Sequence, residues 1–305
     1  MALQHRQVRT NGVRLHCVVD GDGPLVVLLH GFPEFWYSWR HQIPALATRF
    51  RVVAPDLRGY NESEKPAGVA AYAMPELVAD VEGLVHAFGE RDAAIVGHDW
   101  GGAVAWSVAM ERPGVTRKLA VLNCPHPAMI VQSLRGGNPR QLARSWYMFF
   151  FQIPWLPEFL LRLGHARAIG RAIRQSTVRT EAITDDDLQR LRDAAMHSGA
   201  LQSAINYYRA AFRDPANQPA PMRRFLHGDR PLAPPRLTLA DWPKIAAPTL
   251  LIWGEQDVSL GKELTIGMEP LMSGPFEVRY IPDSGHWVQQ EQPELVNRWL
   301  LEFLA

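Results

Sequence analysis

Ala93-Ala94-Ile95-Val96-Gly97-His98-Asp99-Trp100-Gly101-Gly102 decides the fold of this chain. A short apolar run enters a glycine-rich turn, and a helical pattern over residues 101–111 follows until Pro113 stops it. Strand, sharp turn and helix in that order lift the central side chain above the C-terminal edge of a sheet, where ligands of open α/β sheets bind. The central residue of such a turn is strained, and bulky neighbours would collide, so small residues are needed two places before and after it. Gly97 and Gly101 meet that need around Asp99. The competing reading makes Asp99 a plain cap of the following helix.

Outward from this turn, short apolar runs at 13–19, 25–29, 51–55, 119–122, 249–253 and 278–281 join 93–96 as expected strands. Helical patterns such as 74–88 lie between them. That alternation implies an α/β fold with a mostly parallel sheet covered on both faces. It fails between about 127 and 242, where no convincing strand occurs. Helical segments are expected at 144–151, 157–163 and 185–211, with Asp185 as a cap, and a Pro- and Arg-rich connector at 214–235. The chain therefore divides into a core of residues 1–127 and 242–305 and an inserted helical cap, residues 128–241.

Bulk properties narrow the function. The chain has 305 residues, a formal net charge of +1 and 47% hydrophobic residues, without a long run of one charge sign. Nucleic acid is not an expected partner. Cys17 and Cys124 are too few for a disulfide framework, which points to a reducing, cytoplasmic setting. The first ten residues lack an apolar signal region, and Pro154 and Pro157 break the most apolar stretch, so no transmembrane segment is expected. A superficial membrane contact of that stretch stays open, as does a homodimer. No metal-ligand cluster is visible, and no cofactor is expected.

The identity of Asp99 restricts the chemistry. A carboxylate that attacks saturated carbon leaves an ordinary ester, which water can cleave at its carbonyl. A serine in its place would leave an ether, which water does not readily cleave. The electrophile is therefore saturated carbon bearing a leaving oxygen or halide. With a reference pKa near 3.9, Asp99 needs no base to ionise it.

A base is expected after the last strand, where Ser284-Gly285-His286-Trp287 provides His286. Its orienting acid should follow the preceding strand, within Gly254-Glu255-Gln256-Asp257; Asp257 is preferred and Glu255 is the rival. The position after residues 119–122 holds Asn123, which is not an acid. Nucleophile, acid and histidine then follow in the chain order usual for this design. Two backbone N–H groups should hold an oxyanion, one from Trp100 and one from Phe32 in His30-Gly31-Phe32-Pro33.

The stretches HGFPEFWYSWRHQ, APDLRGYNESEKP, VGHDWGG, NCPHP and SGHW, in this order and at these intervals, resemble the epoxide hydrolases of the α/β-hydrolase superfamily, over essentially the whole chain. The resemblance implies the α/β-hydrolase fold, with a mostly parallel eight-stranded sheet, flanking helices and the inserted cap. It also implies a small hydrophobic epoxide and water as reactants. Two cap tyrosines should bind and protonate the epoxide oxygen; Tyr147 and Tyr208 match by motif, with Tyr207 as an adjacent competitor. Phe32 and Trp100 would line the substrate site with them.

Two rivals remain. Haloalkane and haloacetate dehalogenases share the aspartate nucleophile, but Phe32 stands where the former often place a second halide donor, and Trp100 where the latter usually carry arginine. Trp146 or Trp155 would have to supply that donor. The other rival is a non-catalytic binding protein on a hydrolase scaffold. The intact set Asp99, Asp257 and His286 argues against it.

Overall fold

In the computed structural model, residues 3–136, 138–213 and 238–305 are described. Eight strands form one sheet in the order β1-β2-β4-β3-β5-β6-β7-β8. They span Gln4–Thr10 (β1), Val13–Asp20 (β2), Leu25–Leu29 (β3), Arg51–Pro55 (β4), Ala93–His98 (β5), Thr116–Leu122 (β6), Thr249–Gly254 (β7) and Phe276–Ile281 (β8). β2 pairs antiparallel with β1 and β4, and every other pairing is parallel. The central strands β3, β5 and β7 are buried along their whole length, which is why they read as unbroken apolar runs.

Alternate residues of those runs feed two cores. Val27, Leu29, Ile95 and Leu251 pack with Leu77, Val81, Val104 and Val108 on one face. Val26, Leu28, Val96 and Leu250 pack with Ile43, Leu46, Val296 and Leu300 on the other. Each such side chain contributes about 1.5–3 kcal/mol by its burial. The first face is covered by α2 (Met74–Ala87) and α3 (Trp100–Glu111), with α1 (Gln42–Leu46) and the C-terminal helix Pro293–Leu304 on the second.

β1 is the one strand that periodicity did not reveal. Its sequence QHRQVRT is polar and mostly exposed because it lies at the sheet edge. The signal was in the turn after it: Asn11 and Gly12 both have positive φ, 42° and 74°, as a tight two-residue hairpin requires.

Between β6 and β7 the described residues form α-helical and 3₁₀-helical segments and no strand. The α-helices are α4 (Pro127–Arg135), α5 (Pro139–Arg144), α6 (Trp146–Phe150), α7 (Leu156–Ser176), α8 (Asp185–Met196) and α9 (Ala200–Arg213). Two expectations need correction. The segment 185–211 is two helices, parted where Gly199 takes φ 79°. Thr184, not Asp185, caps the first of them, in a reciprocal box with Asp187. The expected helix at 157–163 forms the first part of α7 and ends where Leu163, Gly164, His165 and Ala166 leave helical geometry, after which a second helical stretch runs on to Ser176. The connector expected at 214–235 lies outside the described residues.

Candidate active site

The turn at Asp99 has the conformation its sequence demands. Asp99 takes φ 49° and ψ −120° at the junction of β5 and α3, and its side chain makes no capping bond to that helix. The capping reading therefore fails. The small neighbours are sterically required: a Cβ on Gly97 would stand 2.3 Å from the Gly101 carbonyl oxygen, and one on Gly101 would stand 2.1 Å from that of Leu29. Both clashes are with backbone, which cannot step aside cheaply. Gly101→Ala is expected to lose about 1–3 kcal/mol of stability or more, read as a lowered thermal midpoint. An unchanged midpoint would mean that the elbow is looser than this packing.

The loop after β3 closes on the same carboxylate. Gly31 approaches so closely that a Cβ there would lie 2.5 Å from the Asp99 Cβ. The Phe32 N–H donates to Asp99 Oδ1 at 2.7 Å. Trp100 opens α3, and the first N–H groups of a helix have no partner within it. Asp99 Oδ2 faces His286 Nε2 at 3.5 Å. The two oxygens are thus distinguished: one is held by a backbone donor, the other lies toward the imidazole.

Behind His286 stands Asp257, with Oδ2 2.7 Å from His286 Nδ1. Asp257 is itself fixed, its Oδ1 accepting from the Ser259 and Leu260 N–H groups at 2.7 and 2.9 Å. Glu255, the rival acid, pairs with Lys262 Nζ at 2.7 Å instead. Asn123, passed over because it is not an acid, donates from Nδ2 to Asp257 Oδ2 at 2.8 Å and accepts from the Gly254 N–H at 2.9 Å. Its place at the end of β6, beside the acid-bearing loop, was the available clue.

Electrostatics follow from this chain of partners. Burial works against the charge of Asp99, but the hydrogen bond and charge of His286, then His98 and the Phe32 N–H, outweigh it and hold the carboxyl below its ordinary range. Burial of Asp257 is likewise overcome, chiefly by His286. Burial would make His286 less basic, yet Asp257 and then Asp99 raise it well above a usual histidine.

Beneath the elbow lies a second buried layer that the sequence did not signal. His98 Nε2 lies 2.9 Å from the His286 carbonyl oxygen, which can only accept, so Nε2 is the donor of that contact. His98 Nδ1 lies 2.8 Å from Glu34 Oε2, and Glu34 also accepts from the Gly31 N–H at 3.2 Å and from Gln290 Nε2 at 2.7 Å. This layer ties the loop after β3, the elbow and the histidine loop to one another.

Over the carboxylate sit two tyrosines from different helices. The Tyr208 ring, from α9, lies 5.0 Å from Trp100, 5.4 Å from Phe32 and 5.8 Å from Tyr147 of α6, measured between centroids. Tyr207 does not join them: its hydroxyl donates to the Arg58 carbonyl oxygen at 2.7 Å. One helical step of about 100° separates the two roles. Burial, then the charges of Asp99 and Asp257, push the Tyr147 phenol far above its usual pKa. Burial, then Tyr147 and Asp99, raise Tyr208 as well, against a hydrogen bond from the Trp100 side chain. Trp146 and Trp155, the suggested halide donors, are 63% and 74% exposed and point away from this cluster.

Two cap residues without a sequence signal hold the tyrosine helix in place. Arg209 donates to the carbonyl oxygens of Phe151 and Ile153 at 3.0 and 2.8 Å and pairs with Glu158. Gln141 of α5 bridges to the Asp257 loop, donating to the Ser259 carbonyl oxygen and accepting from the Gly261 N–H, each at 3.0 Å.

Comparison with known proteins agrees with this geometry. The model of the alpha/beta hydrolase family matches residues 26–299. Epoxide hydrolase 4 of Mus musculus is 34% identical over 304 residues, 98% of this chain and 78% of that protein. Epoxide hydrolase B of Mycobacterium tuberculosis is 33% identical over 363 residues, covering 100% of this chain and 99% of the other. The Bacillus megaterium epoxide hydrolase, solved in complex with an inhibitor, aligns with a TM-score of 0.84 at 30% identity and covers 98% of this chain and 99% of that one. The chain belongs to the alpha/beta hydrolase family and stands within it among the epoxide hydrolases.

Proposed function

We propose that the protein opens a small hydrophobic epoxide to a vicinal diol through a covalent ester on Asp99. Residues 1–127 and 242–305 form the catalytic core in this reading, and residues 128–241 form the cap over it. The observation that carries it is the pair of protonated phenols, Tyr147 and Tyr208, brought together above an ionised Asp99. Ring opening releases an alkoxide, a much stronger base than phenolate, and a neutral tyrosine beside it supplies the proton. Exclusion of water by the cap strengthens these contacts.

In the first step Asp99 Oδ2 attacks one ring carbon in line. The C–O bond of the epoxide breaks, and a tyrosine protonates the departing oxygen. Asp99 Oδ1 becomes the ester carbonyl oxygen, already held by the Phe32 N–H. In the second step neutral His286, oriented by Asp257, takes a proton from water, and that water attacks the ester carbonyl. The N–H groups of Phe32 and Trp100 hold the oxyanion until the diol leaves. Such donors each contribute about 3 kcal/mol to related hydrolyses.

A dehalogenase using the same triad is the second reading. It needs two halide donors, and of the three tryptophans considered only Trp100 stands in the cluster, since Trp146 and Trp155 face outward. The two free cysteines, both buried, support the reducing, cytoplasmic setting taken here.

A single turnover in ¹⁸O-labelled water tests the route. Unlabelled oxygen, drawn from Asp99, should enter the first diol formed; label in that diol would rule out the covalent path. Diol release from styrene oxide, set beside halide release from haloalkanes, separates the two substrate classes. Tyr147→Phe or Tyr208→Phe alone should slow ring opening less than both together, because the remaining phenol still donates. The double variant is expected to lose roughly 10²- to 10⁴-fold in the alkylation rate. A double variant that alkylates at the parent rate would place the proton donor elsewhere.

A further inference from the structure

The cap carries an apolar surface that the buried site does not use. Eight of the eleven exposed large apolar side chains among the described residues fall within residues 142–163. Scattered single residues would be ordinary on a protein surface; a cluster of this kind marks a contact. Trp146 and Phe149 lie on the outer side of α6, whose inner side presents Tyr147 to Tyr208, and Ile153 follows in the turn after it. Trp155, just before α7, and Phe159 within it continue the stripe one turn apart, and Leu163 stands exposed where the helix breaks. Arg209 clamps the turn between the two helices through the Phe151 and Ile153 carbonyl oxygens and Glu158, so the two halves are held in one arrangement. Trp155 sits at the tip of that turn with φ 53°, 74% exposed, a left-handed conformation that is costly for a tryptophan.

Along the segment that carries the stripe the charges are one-sided, the acids of α8 that face α7 pairing with Arg174 and His165. Residues 138–175 contain six arginines and a single acid, Glu158, which Arg209 already neutralises. Arg140, Arg162, Arg167 and Arg171 are exposed and make no ion pair among the described residues. The rest of the chain balances this excess, since the formal net charge is only +1. A second copy of the chain would bring arginines against arginines. An anionic partner would not, and tryptophan is enriched where one end of a contact is apolar and the other wet.

We propose that residues 142–163 dock the protein peripherally on an anionic phospholipid surface, with the aromatic stripe among the acyl chains and the arginines at the headgroups. Apolar insertion and arginine–headgroup attraction act together in such binding. No described helix is long and apolar enough to cross a membrane, so the contact lies on the surface. The membrane face then backs onto the tyrosine-bearing helix, and an apolar substrate dissolved in lipid would be concentrated beside the cap. The inference does not depend on which electrophile Asp99 attacks.

Flotation of the full chain with vesicles of phosphatidylcholine alone, and with added phosphatidylglycerol, tests it. Binding should require the anionic lipid, weaken as salt rises, and shift tryptophan emission to the blue. Phe159→Ser and Arg162→Glu, each at an exposed position, should each reduce binding roughly tenfold, with unchanged thermal midpoint and unchanged hydrolysis of a water-soluble epoxide. No flotation with anionic vesicles, equal binding to neutral ones, or variants that bind like the parent would overturn the proposal. A dimer that Phe159→Ser dissociates, with no vesicle binding, would assign the face to self-association instead.

Discussion

His286→Gln is expected to stop the enzyme with substrate attached. Without the imidazole Asp99 loses the main offset to its burial, but His98 and the Phe32 N–H still favour its charge, so ring opening still occurs once the pH is high enough to ionise it. Glutamine cannot take the proton from water, so the ester persists. Mass spectrometry after mixing with an epoxide should show the chain heavier by one substrate, while steady diol release falls roughly 10⁴- to 10⁶-fold. Lost turnover without an adduct would remove His286 from the second step and place it in the first. The pH dependence carries the same logic. In the resting site two carboxylates, Asp257 and Asp99, oppose burial and raise His286 well above a usual histidine. Alkylation removes the Asp99 charge, so the imidazole becomes less basic just when it must be a free base. Ester hydrolysis should therefore decline toward acid pH with a midpoint below that of His286 in the free enzyme. Ring opening should stay level there until Asp99 protonates, below the ordinary carboxylate range. Single-turnover rates measured across pH separate the two limbs, and coincident midpoints would contradict the account.

Asp99→Ala should abolish both steps, because no ester can form. Diol release is expected to fall by a comparable roughly 10⁴- to 10⁶-fold, and no adduct should appear at any pH. The contrast between the two variants distinguishes nucleophile from base more sharply than either loss of activity alone. Alanine at φ 49° keeps some backbone strain without a local hydrogen bond, so a modest loss of stability accompanies the chemical defect. A folded Asp99→Ala protein that still makes the diol would require water to attack the epoxide directly, with His286 as its base.

The elbow, the central strands and the triad were legible because each depends on local chemistry. Gly97 and Gly101 are required by clashes within the turn's own neighbourhood, and β3, β5 and β7 read as apolar runs because parallel strands are buried on both faces. β1 escaped because an edge strand has one exposed face and its side chains are mostly polar. The cap helices were placed, but 185–211 was read as one, since its break at Gly199 depends on how the chain folds back on itself.

Supporting residues were harder to find than reacting ones. Asn123, Glu34, His98, Gln141 and Arg209 act by holding other groups, and any of them would read as an ordinary polar residue in a linear scan. Their distant partners lie from 51 to 256 residues away, for example Arg209 with Glu158 and Glu34 with Gln290. No spacing rule spans such separations.

The sequence by itself determined that a carboxylate stands on a strand–turn–helix elbow, because the small residues around Asp99 permit little else, and it is the source of the proposal that the electrophile is saturated carbon. It also determined the order of acid and histidine along the chain. Only the tertiary structure decided that Asp257 rather than Glu255 faces His286, that Tyr208 rather than Tyr207 faces Tyr147, and that Trp146 and Trp155 look outward. The physical reason is common to all three. The first two choices lie between near neighbours in sequence with similar chemistry, and in all three which side chain points inward is set by packing against elements far away in the chain.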